Sequence, residues 1–556
     1  MIRRRDLLLG LGGLLAGGRL AADTQAIETA YLNARAWTGI PARPFADAFG
    51  VYRDRLVAVG RNEEIRSLAR PTTRLVDLQG AFVTPGLIDN HTHFLRASFM
   101  LRTPELRTVR TRDEFVQRIA ESAGALTPGE WLQGGNWDEQ VWGGELPRRQ
   151  WIDAATPKTP VAVVRLDQHM VLLNSLALRL AGINRDTPDP DGGLILRDAE
   201  GEPTGILKDK ADELVQRVIP PPGDAAVERA INAGIAHALS KGLTQVHVTE
   251  LDWVTHDALR RIRARGEPGL RFYSLVPIED WERMETLVRA EGRGDDWVRW
   301  GGVKGVVDGS LGSRTAVFRE PYADSTGNYG LYRVPPERMY EMARGADAAG
   351  LHLALHAIGD EANRRVLDLV AALASANGSR DRRVRIEHVQ HLAMADVPRF
   401  AALGVIASMQ PYHAIDDGRW AEKPLGAKRL HGAWAIRSLL DARARVTFGS
   451  DWPVAPIEPL LGIDAAVFRR TIDGKNPDGW VPEQRISVTE ALTAYTTANA
   501  FAGFQDDRLG VLAPGFMADF VVFDTDLTAA GGANVTRARV LATAVGGRIR
   551  HGTLQT

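Results

Sequence analysis

Six side chains with metal-binding chemistry stand at or near the ends of short apolar runs. Residues 83–94 read "VTPGLIDNHTHF" and close on His91 and His93. In an extended strand alternate residues face the same way, so this pair presents two imidazoles from one strand end. Lys304 follows in "VKGVVDGS", His356 in "ALHAIGD", His388 in "RIEHVQH" and Asp451 in "TFGSDWPVAP". Taken singly, each has an ordinary reading. A histidine near a strand end is commonly a hydrogen-bonded structural residue, and an aspartate after Gly-Ser commonly caps a turn. A lysine inside an apolar strand is harder to place, because lysine is almost never fully buried unpaired. Six such residues on five strand ends point to one shared site.

The chemistry follows from the residue types. The chain has no cysteine, so thiolate ligands, disulfides and a cysteine nucleophile are excluded. Histidine and carboxylate ligands suit zinc, with manganese, iron or nickel as rivals. An ammonium cannot bind a cation, but desolvation favours the neutral amine of a buried lysine. That amine can add carbon dioxide to give a carbamate, whose two oxygens can bridge two divalent ions. A water between two such ions loses a proton near neutral pH and becomes a nucleophile. Asp451 can bind one ion, accept the proton of that water and pass it to a leaving group.

The elements around these residues predict a barrel. Short apolar strands are expected at 243–249, 271–277, 301–307, 351–357, 384–390, 404–410 and 445–451, and residues 87–89 open an eighth. Amphipathic helical patterns lie between most of them, such as "DAAVERAINAGIAHALSKG", with apolar residues at spacings of three and four. Eight alternating units predict an α/β fold, a (β/α)8 barrel whose chemistry sits at the C-terminal strand ends. The segment between the first two strands is too long for one crossover. Roughly 125–222 is therefore read as an inserted subdomain, built on strand pairs such as "VAVVRLDQHMVLLN". Both ends of the chain are strand-rich. Residues 23–84 and 505–556 are expected to form one composite β-sandwich domain, with the barrel spanning 85–504.

Length and charge bound the rest. A chain of 556 residues implies more than one domain. Charged residues make up 25% and formal net charge is -1, so there is no basic field for nucleic acid and no polybasic membrane patch. The opening "MIRRRDLLLGLGGLLAGGRLAADTQ" pairs arginines with a short, weakly apolar run. It reads as a twin-arginine signal, residues 1–22, cleaved near Ala22, rather than a spanning helix. Export to the periplasm or beyond, without a stable membrane anchor, is the expectation.

The motifs, in order, resemble the amidohydrolase superfamily, and within it the amidohydrolase family 3 branch of YtcJ-like proteins and N-substituted formamide deformylases. The resemblance is carried by "TPGLIDNHTHF", "NWDEQVW", "NSLAL", "GEPTGILKD", "VKGVVDGSLGSRTA", "LHAIGDEAN", "RIEHVQHL", "VIASMQPYH", "VTFGSDWPVAP" and "LAPGFMADFVVFD". It implies a binuclear centre. His91, His93 and Asp451 would hold one ion, His356 and His388 the other, and carbamylated Lys304 would bridge them. It also implies a small-molecule substrate and a homodimer. Further residues carry two readings each. His169, where the branch usually has Asp-Gly-His and this chain has Gln168, could contact substrate or pack the subdomain. Asp308 and Arg314 could contact substrate or brace their loop. His413 could contact substrate, and Trp137 could line the pocket or pack. His247 is expected to be structural, and His352, His391 and His431 to have ordinary roles.

The expected activity is hydrolysis of a C–N bond in an amide, N-formyl compound or cyclic amide, with Asp451 as general base and acid. An ester, lactone or carbamate hydrolase could use the same site. A periplasmic binding protein on a degenerate barrel is a third reading, which the complete ligand set argues against.

Overall fold

The computed structural model describes residues 27–554 apart from 102, 107, 128, 166–169, 191–192 and 313. The leader at 1–22 and His169 lie outside the described residues. Eight parallel strands form the centre: β1 (Leu87–Thr92), β2 (Leu243–Val248), β3 (Arg271–Pro277), β4 (Val298–Val306), β5 (His352–Ala357), β6 (Arg385–His388), β7 (Ile406–Met409) and β8 (Arg445–Phe448). They pair in chain order, each with the next. Their side chains are almost all buried, as expected where helices cover the outer face and side chains fill the inside. Helices such as Asp224–Ser240 and Asp360–Asn377 lay apolar stripes on that outer face. The second stops where Gly378 takes φ 76°, a conformation that costs glycine little.

The sheet does not ladder all the way round. β1 and β8 are its two edges, joined at the top by the bridge between Thr92 and Trp452. The histidines His91 and His93 and the aspartate Asp451 therefore face each other across the seam.

The two ends of the described chain build one β domain. A four-stranded sheet contains Thr29–Leu32, Ala48–Tyr52, Arg55–Gly60 and Arg74–Asp77. A six-stranded sheet mixes Arg35–Trp37, Phe45–Ala46 and Phe82–Pro85 with Phe520–Phe523, Val540–Val545 and Arg548–Gly552. Val83 pairs with Val522. Tyr31, Phe49 and Phe520 meet between the sheets at ring distances of 4.8–5.0 Å. Phe82–Pro85 runs straight into β1, so this domain anchors the strand that carries the paired histidines.

A five-stranded sheet, from Leu132–Trp137 to Pro203–Asp209, forms the insertion between β1 and β2. Leu106, Val109, Phe115 and Ile119 belong to its core, so the insertion begins well before residue 125. The helix Arg112–Gly124 looks in sequence like a barrel crossover, but its apolar side is satisfied by the inserted sheet.

Candidate metal centre

The six expected ligands meet at the C-terminal rim. Ligand atoms of His91, His388 and Asp451 all lie within 4.8 Å of one another. Lys304 Nζ is 3.3 Å from His91 Nε2. His93 Nε2 and His91 Nε2 stand 3.2 and 3.5 Å from Asp451 Oδ1. The rings of His356 and His388 are 4.4 Å apart.

Hydrogen bonds orient the imidazoles, and their directions fix the tautomers. His91 Nδ1–H donates to Glu387 Oε2, which leaves the Nε2 lone pair facing Lys304 and Asp451. His388 Nδ1–H donates to Gln410 Oε1 at 2.9 Å, which frees its Nε2. His356 Nε2–H donates to the Gly309 carbonyl at 3.1 Å, which frees its Nδ1. A histidine that binds a metal through one nitrogen commonly donates from the other to a carboxylate or carbonyl. Glu387 is itself held by Arg385 at 2.7 Å and Ser408 Oγ at 2.6 Å. Arg385 also donates to the Asn90 carbonyl and to His247 Nδ1, so His247 serves this scaffold.

Burial sets the protonation states. Desolvation, with Lys304 alongside, lowers His91 to about 4 and His356 to about 3. His388 is also held well below its usual value by burial and by the neighbouring His356. The neutral imidazole is the form that binds a cation. Burial lowers Lys304 to about 8, which makes a neutral amine accessible near physiological pH. Burial alone would raise Asp451, but the His93, His91 and His413 rings hold it far below the carboxylate range. It is therefore an anion throughout the working range.

Two further features mark the cluster. Asp451 Oδ1 is buried without a hydrogen-bond partner, although two histidine nitrogens lie near it. His388 and Asp451 both adopt positive φ, 79° and 61°, a strained conformation for residues with a Cβ that concentrates at functional sites. Neutral imidazole lone pairs, an ionised carboxylate with a free oxygen and a deprotonable amine, converging at one rim, fit a divalent cation centre.

The remaining candidates separate. His413 Nδ1 accepts from Gln390 Nε2 at 3.3 Å, so its Nε2–H is the end that stands 3.9 Å from Asp451 Oδ2. It belongs to the site. Asp308 does not offer a free oxygen to a substrate. It is fully buried, and it accepts from the amides of Val317, Ile358 and Gly359, bracing the loop after β4 against the end of β5. Arg314 is likewise a brace: it pairs with Asp324 and donates to the Leu311 and Gly312 carbonyls. Trp137 as a pocket wall is corrected. Its indole is fully buried in the core of the inserted subdomain and its Nε1–H donates to the Val163 carbonyl. His352 packs on Phe504 and meets Tyr273, and His391 packs on Phe318 and Trp434.

Glu387, Arg385 and Gln410 do not stand out in the motif reading. One signal was available: Arg385 and Glu387 are alternate residues of the short strand that carries His388, so both face one side as a buried charge pair.

The family model for the amidohydrolase family matches residues 74–551. The protein LONG AFTER FAR-RED 3 of Arabidopsis thaliana is 40% identical over 93% of this chain and 90% of its own length. The N-substituted formamide deformylase of Arthrobacter pascens is 28% identical over 95% of this chain and 99% of its own. Among solved structures, an uncharacterized metal-dependent hydrolase from Pyrococcus furiosus superposes with a TM-score of 0.75 at 27% identity, covering 90% of this chain and 99% of that one.

Proposed function

This chain belongs to the amidohydrolase family, and from that premise we propose that it hydrolyses a C–N bond in an amide, N-formyl compound or cyclic amide with a binuclear metal centre. The observation that carries the proposal is the convergence of His91, His388 and Asp451 ligand atoms within 4.8 Å of one another, with Lys304 beside them. The 28% identity to a formamide deformylase over nearly the whole chain favours nitrogen as the leaving atom.

His91, His93 and Asp451 would hold one ion and His356 and His388 the other. Lys304, neutral in part because it is buried, would add carbon dioxide, release a proton and bridge the two as a carbamate. Zinc suits this donor set. When bound, the ions supply Lewis acidity to polarise a carbonyl and acidify water. The chain supplies the proton chemistry. Asp451, ionised and with Oδ1 free of hydrogen bonds, accepts the proton of the attacking water. It then delivers that proton to the departing nitrogen, which cannot leave as an amide anion. His413, with Nε2–H turned towards Asp451, is placed to donate to a substrate oxygen as negative charge develops there.

Plasma-emission analysis of the full chain, purified without chelator, is expected to give close to two divalent ions per chain. A panel of N-formyl, N-acyl, cyclic amide and lactone substrates should then show turnover on the nitrogen compounds. No metal and no activity after reconstitution would refute the reading. Turnover confined to lactones and esters would move the leaving atom to oxygen. Export by a twin-arginine signal is part of the proposal, and N-terminal sequencing of the mature protein after residue 22 checks it.

A further inference from the structure

The proposed metal centre straddles the one place where the barrel ladder is open. Below the bridge between Thr92 and Trp452, side chains take over from backbone pairing between β1 and β8. Asp89 accepts from Ser450 N through both oxygens, at 3.0 and 3.1 Å, and from His91 N at 3.0 Å. Asn499, from the helix Thr497–Ala502, donates to the Ile88 carbonyl on β1 and to the Phe448 carbonyl on β8. Asn90 Nδ2 donates to Thr447 Oγ1 and Ser408 Oγ. All three are buried. At the top, Asp451 N donates to the His91 carbonyl and His93 N to the Trp452 carbonyl, both at 2.8 Å. The strands approach so closely that a Cβ on Gly449 would lie 2.6–2.7 Å from Asn90 Oδ1, Asp89 Oδ1 and His91 N.

We propose that Asp89 and Asn499 are positioning residues that set the distance between His91 and His93 on one side of the seam and Asp451 on the other, and so tune metal affinity. The inference rests on reading the rim cluster as a metal centre. A regular ladder would fix the register of β1 and β8 by many equivalent bonds. Here two backbone bonds at the top, the Asn499 clamp and one carboxylate, Asp89, which grips the backbone of His91 and of the residue before Asp451, set the register of the ligand pair. Asp89 touches neither substrate nor ion, and acts only through the residues it holds. Asparagine in its place would set an amide N–H against the Ser450 N–H where Oδ2 now accepts, or, turned over, against both backbone N–H groups, and so weaken the grip.

The test is zinc affinity measured by competition with a chelating dye, on full-length protein shown to be folded by circular dichroism and gel filtration. Asp89→Asn and Asn499→Asp are expected to bind zinc about 10- to 100-fold more weakly, the range for residues that orient ligands. The control is Asn174→Ala. Asn174 is an equally buried clamp, donating to Thr156 and Thr159 and accepting from Val161 N and Ala177 N in the inserted subdomain. That variant should lower the melting temperature and leave zinc affinity unchanged. A second readout needs no variant. In the wild-type chain, chelation should speed hydrogen exchange at Ser450 and Asp451 while leaving the ladder between β2 and β3 unaffected. Wild-type affinity in either folded seam variant, or a seam equally protected with and without zinc, would overturn the inference. A wild-type chain that binds no zinc would instead overturn the reading of the centre itself.

Discussion

The barrel buries charge at both of its ends, in two different ways. At the start of β3, Arg271 lies in the junction with the β domain and closes on its partners. It donates to both oxygens of Asp519, at 2.6 and 2.9 Å, and to the Asp296 carbonyl, while Gly546 N donates to Asp519. Trp297 covers the guanidinium at 4.6 Å. At the opposite rim the cluster stays open. Glu387 and Gln410 turn the histidine rings so that their free nitrogens face inward, and Asp451 keeps an oxygen unbonded. Buried polar groups are normally satisfied, because an unpaired one costs the desolvation of that group. The closed cluster is scaffold that joins two domains. The open one spends stability to hold donor atoms at a common point.

That contrast can be broken at either end. The largest effect is expected at the rim: Asp451→Asn should lower kcat by about 10²- to 10⁴-fold, the usual contribution of a positioned acid–base group. It should keep much of its metal by plasma emission; near-normal turnover would remove Asp451 as the proton carrier. At the closed end, Asp519→Ala leaves Arg271 buried without its partner, a change that costs about 3–5 kcal/mol. Denaturant unfolding should show that loss, with zinc affinity and turnover per folded molecule unchanged. A parallel fall in zinc affinity would show that the two clusters are not separate. Glu387→Gln keeps the shape of the side chain but removes the charge that orients His91. Zinc should bind about 10- to 100-fold more weakly, by dye competition.

The smallest effect is a displaced pH profile. Imidazoles must be neutral to bind a cation, and burial holds His91 near 4 and His356 near 3. Protons therefore compete only as pH falls well below the ordinary histidine value of about 6.5. Zinc content after dialysis should be flat from pH 8 to about 6 and drop towards pH 4. Loss centred near 6.5 would mean that the rim imidazoles are solvated and ordinary.

The barrel and its six rim residues were legible because both have short-range signatures. Eight apolar runs alternate with helical periodicity, and the chemistry-bearing residues stand where those runs end. The partition between ligand and brace was not legible. Asp308 and Arg314 sit in a motif beside Lys304, yet their charges are spent on the amides of Val317, Ile358 and Gly359 and on Asp324, contacts that depend on how the loop after β4 folds back on itself and onto the end of β5. Trp137 shares its strand pattern with residues that could face a pocket, and only the packing of the inserted sheet decides that it faces a core. The N-terminal limit of the insertion is not legible, because the helix Arg112–Gly124 has the same periodicity whether its apolar side meets a barrel or a separate sheet. The grip of Asp89 on Ser450 joins residues 361 positions apart, and no local pattern records it.

The central claim is that the rim holds two metal ions bridged through Lys304. Anomalous diffraction from crystals of zinc-loaded, full-length protein tests it most directly. Two zinc peaks are expected, one among His91, His93 and Asp451 and one beside His356 and His388, with a carbamate on Lys304 Nζ between them. No peak at the rim, or an unmodified Lys304 still bonded to His91 Nε2 in the loaded protein, would contradict it.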